Sequence, residues 1–153
     1  MIPATSKRVK ENTAERINER IRRQTECRIS CLAAATKSDI NDRLDELDRE
    51  WDIERVLEAN AAGFSLAGLM LGITSGKKWL LLPVTVAGFL LQHAVQGWCP
   101  PVPVFRRLGI RTMGEINFER YALKALRGDF EGTTGTEKVN GKEVRAIIQA
   151  VRQ

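Results

Sequence analysis

Two long stretches of this 153-residue chain lack charge. Residues 59–76 and 79–105 contain no Asp, Glu, Lys or Arg, and only Lys77 and Lys78 separate them. The chain-wide averages, 28% charged and 43% hydrophobic, describe a soluble domain of ordinary size. A helix packed on a soluble core keeps a polar outer face, and these runs have none, which excludes that reading. Histidine is nearly absent as well: with His93 alone, one chain cannot offer a bis-histidine haem site. Cysteine is sparse and odd in number. Cys27, Cys31 and Cys99 do not make a disulfide framework, and reduced thiols facing a cytosol are the simpler expectation. No apolar run precedes residue 56, so a cleaved signal peptide is not expected. A Gly-rich phosphate loop, a nucleophile elbow and a metal-ligand cluster are all missing, so neither catalysis nor a cofactor is expected.

The charges that are present fall into blocks. Residues 1–37 carry nine basic and four acidic side chains, net +5, and residues 38–58 carry three and nine, net −6. Residues 99–153 carry ten and six, net +4. Nucleic-acid binding calls for clustered Lys/Arg with stacking or base-reading groups. The N-terminal arm has no aromatic residue and interleaves Glu with its arginines, so no nucleic-acid partner is expected.

Helical periodicity fills the flanks. In the arm, Ile17, Ile21, Ile29 and Leu32 fall near one face of a helix over 12–36, opposite Arg16, Glu19, Arg20 and Arg23. Asn12 and Glu15 resemble a capping arrangement. Such a helix suits anionic headgroups or a partner helix. Ser38 or Asp39 then suits the N-cap of an acidic juxtamembrane helix over 38–58. Its seam is Ile40, Leu44, Leu47 and Trp51, and no Pro or Gly interrupts it before the apolar region. The sequence therefore predicts one long helix running into the first span, with Trp51 at headgroup level.

The two uncharged runs match a membrane. Eighteen residues (59–76) at about 1.5 Å each reach about 27 Å, and residues 79–98 supply about 20 residues. Trp79 and Trp98 bracket the second span as interface anchors. Ser75–Lys78 is long enough only for a tight hairpin, so both ends of the chain lie on one side. Arg43, Arg49, Arg55, Arg106, Arg107 and Arg111 flank that side against two lysines in the loop, which places both termini in the cytoplasm. After a Cys-Pro-Pro turn the region 99–131 resumes as a helix near Met113–Gly128. A Gly/Thr linker at 132–135 leads to a last amphipathic helix over 141–152, with Val144, Ile147, Ile148 and Val151 on one face. No strand pattern appears. The expected fold is an all-α membrane protein: a two-helix transmembrane hairpin flanked by cytoplasmic amphipathic helices.

Three features within the hairpin are candidate functional positions. Gly68, Gly72 and Gly76 repeat every four residues, a face on which helices approach closely in lipid, either within the hairpin or between subunits. Gln92, His93 and Gln96 form a polar group in the second span, expected to hydrogen-bond across the hairpin or a dimer rather than to relay protons. Cys99 precedes Pro100 at the membrane boundary, with Arg106 and Arg107 close in sequence. Neighbouring positive charge favours a thiolate, so persulfide or soft-metal handling is the alternative to a small residue fitting a turn. Cys27 and Cys31, one turn apart, have a spacing that could hold two ligands of a metal or one redox pair, but they are expected as small apolar side chains in a helix interface.

The segments WDIERVLEANAAG (51–63), GFLLQHAVQGWCPPVPVFRRLGIRT (88–112) and ERYALKALRGDF (119–130) resemble a group of small bacterial inner-membrane proteins. These carry the YgaP-like two-helix transmembrane domain, which in some relatives anchors a rhodanese. The resemblance covers residues 51–130 and implies a dimer-capable helical hairpin in the inner membrane with cytoplasmic termini. No rhodanese domain is present here, so sulfurtransferase activity is not implied. The function expected is a non-catalytic, oligomeric scaffold or accessory subunit of a larger membrane complex, whose partners are the bilayer and other subunits or itself.

Overall fold

The computed structural model describes residues 7–129, 144–145 and 148–149. Among them the regular elements are all helical. In chain order they are α1 (Arg8–Glu11), α2 (Glu15–Leu32), α3 (Lys37–Arg49), α4 (Ile53–Thr74), a 3₁₀ turn (Lys77–Leu80), α5 (Leu81–Gln96), α6 (Pro101–Arg107) and α7 (Met113–Arg127). Two compact units divide them. The first joins the chain up to Asn18 to Trp51–Thr112, and the second joins Glu19–Glu50 to the chain from Met113.

The long helix expected across 38–58 is broken. α3 ends at Arg49, Glu50 is extended, and Asp52 caps α4 by accepting from the Arg55 amide at 3.1 Å. The Ile53 amide donates to the Arg111 carbonyl at 2.8 Å, so the first turn of α4 is satisfied by a distant loop instead of by a preceding helical turn. Trp51 consequently leaves the α3 seam. It is half-exposed, with the Arg55 guanidinium 4.4 Å from its ring centroid.

Other boundaries shift for similar reasons. Thr36, not Ser38 or Asp39, is the N-cap of α3; Asp39 closes the capping box from the third position. Asn12 ends α1 instead of starting α2. The Cys-Pro-Pro segment, expected as a turn, opens α6, where prolines in the first turn forfeit no intrahelical hydrogen bond.

The second unit buries its apolar stripes. Ile40, Leu44 and Leu47 of α3 pack with Ile116 and Leu123 of α7, while Ile29 of α2 packs with Ala122, Val144 and Ile148. Asp42, Asp45, Glu46 and Asp48 remain on the exposed face of α3. Of the expected 141–152 helix, Val144 and Ile148 are helical and buried; Ile147, Val151 and the 132–135 linker lie outside the described residues. The first unit has a smaller core of Val9, Ile53, Leu57, Cys99 and Val102, with Phe105 and Ile110 against it.

The α4–α5 hairpin projects a different surface. Both helices are long and apolar enough to cross a membrane, and their apolar windows are only 11% and 6% buried. Phe64, Leu66, Leu69, Met70 and Ile73 on α4 stand exposed, as do Leu81, Val84, Phe89, Leu90, Leu91 and Val95 on α5. The 22 residues of α4 span about 33 Å. The 16 residues of α5 and the four-residue 3₁₀ turn before it together reach about 32 Å.

Candidate functional site

The glycine repeat separates into two roles. A Cβ on Gly68 would come within 2.6 Å of Pro83 Cδ and 3.1 Å of Leu82 Cβ, and one on Gly72 would overlap the Leu80 side chain. These two glycines hold α4 against the chain that begins the second arm of the hairpin, so the close approach is made within one chain. Gly76 does not share that face. It has φ +129° with open space around it and serves the turn, where only glycine tolerates such a backbone.

The polar group expected at Gln92, His93 and Gln96 also divides. Gln92 is partly exposed and Gln96 fully so, whereas His93 is buried. Its Nε2 lies 2.7 Å from Glu54 Oε2. An ionised carboxylate can only accept, so Nε2 carries the proton in that contact. Glu54 Oε1 accepts from the Arg8 guanidinium at 3.1 Å, and the same guanidinium donates to the Ala94 carbonyl at 2.9 Å. The His93 ring, with a smaller contribution from Arg8, holds the Glu54 carboxyl below the usual carboxylate range, against the opposing effect of burial. One carboxylate thus ties three distant segments together: the N-terminal arm, the start of α4 and the end of α5.

Cys99 is buried in the apolar cluster with Val9, Ile53, Leu57 and Val102. Burial pushes its thiol upward in pKa, and the Glu54 charge adds to that. This is opposite to the activation expected from Arg106 and Arg107. Arg106 is itself fully buried, donating to the Ile110 carbonyl at 3.0 Å and to Asn18 Oδ1 at 2.9 Å. Arg111 is buried too, while Arg55 and Arg107 are exposed. Two of these four arginines therefore build the fold. Trp79 and Trp98 are both substantially exposed, at the two ends of α5. Cys27 and Cys31 are exposed on α2, which corrects the expectation that they pack in a helix interface; the buried face of α2 is carried by Ile17, Ile21, Thr25 and Ile29 instead.

In the second unit the central polar residue is Glu119, which is fully buried. Arg43 Nε donates to Oε1 at 2.8 Å, and Arg28 Nε lies 3.3 Å from the same oxygen. A carboxylate between two guanidiniums is a structural lock. No cluster of three or more potential metal ligands exists among the described residues.

Comparison with known protein families, with characterised proteins and with solved structures gives no match. The residues that sequence reasoning missed are Arg8, Glu54 and Glu119. Glu54 did carry a signal, being a carboxylate four residues before Glu58 at the edge of an uncharged run. Arg8 and Glu119 look like ordinary surface charges in the sequence.

Proposed function

We propose that this chain is a multi-pass protein of the bacterial inner membrane, with residues 59–76 and 79–98 crossing the bilayer and both termini in the cytoplasm. In this reading it acts without catalysis, as an oligomeric scaffold or accessory subunit of a larger membrane complex. One observation carries the proposal: the apolar side chains of α4 and α5 face outward almost along their whole length. An uncovered apolar surface of that extent is unfavourable in water, at roughly 25 cal/mol per Å², and is at rest in hydrocarbon. Supporting it are the match of both arms to the ~30 Å hydrocarbon core, the exposed Trp79 and Trp98 at the ends of α5, and the excess of flanking arginines over Lys77 and Lys78. The resemblance to the YgaP-like domain points the same way.

Two measurements test it. In intact cells, a membrane-impermeant maleimide should label a Lys77→Cys variant while Cys27 and Cys31 react only after lysis; the reverse pattern refutes the orientation. Native mass spectrometry from mild detergent should then give more than one chain per particle, and a monomer would refute the oligomeric role.

A further inference from the structure

We propose that residues 7–13 form a strap whose release uncovers, in one event, the Cys99 thiol and the Glu54–His93 pair. This rests on the geometry of the first unit alone and holds whether or not the hairpin crosses a bilayer.

The strap contains a single helical turn, α1, too short to be stable without tertiary support. Of residues 7–13, two are buried, Val9 and Thr13. Val9 is buried in the cluster that also contains Ile53, Leu57, Cys99 and Val102. Arg8 reaches Glu54 and the Ala94 carbonyl, and Asn12 Nδ2 donates to the Gln96 carbonyl at 3.0 Å. Asn18 clasps the strap from behind, donating to the Lys10 and Thr13 carbonyls while accepting from Arg106.

Gly97 is shaped to receive this segment. It ends α5 in the left-handed conformation (φ +74°), and a Cβ there would lie 2.5 Å from Arg8 Cβ and 2.8 Å from the Arg8 carbonyl carbon. The strap backbone therefore rests directly on the turn that leads to Cys99. Segments held by so few buried contacts open at lower free energy than the elements they cover. Opening removes the Val9 side chain from the cluster around Cys99 and the Arg8 guanidinium from Glu54 together.

The chain carries its own controls, because Cys27 and Cys31 are exposed while Cys99 is buried. Full-length protein in mild detergent is alkylated with N-ethylmaleimide, and each cysteine is followed by peptide mass spectrometry. Cys27 and Cys31 should react promptly and Cys99 slowly. In an Arg8→Ala, Val9→Ala variant the Cys99 rate should rise about tenfold, the factor that weakening the closed state by ~1.4 kcal/mol gives. The other two rates and the circular dichroism should stay unchanged. Equal rates for all three in the unmodified protein, or a Cys99 rate indifferent to the variant, would overturn the proposal. If the variant loses helicity, hydrogen exchange on the unmodified protein decides. The amides of Glu11, Asn12 and Thr13, bonded only within the strap, should exchange well before those of 55–57 and 104–106, and exchange in step with them would refute it.

Discussion

The α3–α7 pair and the α4–α5 pair are both antiparallel-capable helices of 13–22 residues, yet they treat apolar side chains in opposite ways. α3 concentrates Ile40, Leu44 and Leu47 on one face and buries it against Ile116 and Leu123, leaving the acids outside. From residue 59 onward α4 carries no charge, and neither does α5; their contact uses the smallest residues, Gly68 and Gly72, while Leu, Phe and Met face outward. In the first pair, packing is driven by removing large apolar groups from water. In the second it depends on close backbone approach, which is how helices associate when the surroundings are themselves apolar.

The sharpest way to break this contrast is in the second unit. Glu119→Ala removes the buried carboxylate that joins Arg28 to Arg43 and should destabilise that unit by about 2–3 kcal/mol, read as a loss in thermal or denaturant stability. Next comes a matched pair on α4. Gly68→Leu forces a side chain into Pro83 and Leu82 and should cost about 1–3 kcal/mol, whereas Gly63→Leu, with nothing within 4 Å of its Cβ position, should leave hairpin stability within about 0.5 kcal/mol of the parent. Equal effects at the two positions would show that the hairpin contact is not made through the Gly68 face.

Smaller again is Asp52→Ala, which removes the N-cap that separates α4 from α3 and should cost about 1 kcal/mol in the unfolding of the first unit. Smallest is the pH response of Glu54, whose side chain is about one-third exposed. Its carboxyl is held low by His93 and Arg8. A carboxyl depressed on folding adds stability that is fully present above its ordinary value of about 4.3 and is lost as pH falls through the depressed one. The stability gap between the parent and Glu54→Gln should therefore be full at neutral pH and close only on acidification below that range.

How much of this was legible in the sequence follows from what each interaction depends on. The 3.6-residue period gave the buried faces correctly at Ile17, Ile21 and Ile29, and again at Ile40, Leu44 and Leu47, because burial of a stripe is a local property of a helix. The absence of charge marked out α4 and α5 for the same reason. The break at residues 50–52 was hidden, since no Pro or Gly announces it and the Ile53 amide that opens α4 is satisfied by the Arg111 carbonyl, from far along the chain. The Arg8–Glu54–His93 node and the Arg28–Glu119–Arg43 lock join residues 39 to 91 positions apart, so no spacing rule reveals them. Gly76 misled because a period of four continues on paper past the point where the helix ends at Thr74.

In the function proposed, lipid covers the outward apolar surface of α4 and α5. The most direct measurement is extraction of cell membranes carrying the full chain with alkaline carbonate, followed by sedimentation. A protein that spans the bilayer stays in the pellet and leaves it only with detergent, which is the result expected here. Recovery of the chain in the carbonate supernatant would show that α4 and α5 do not span the bilayer.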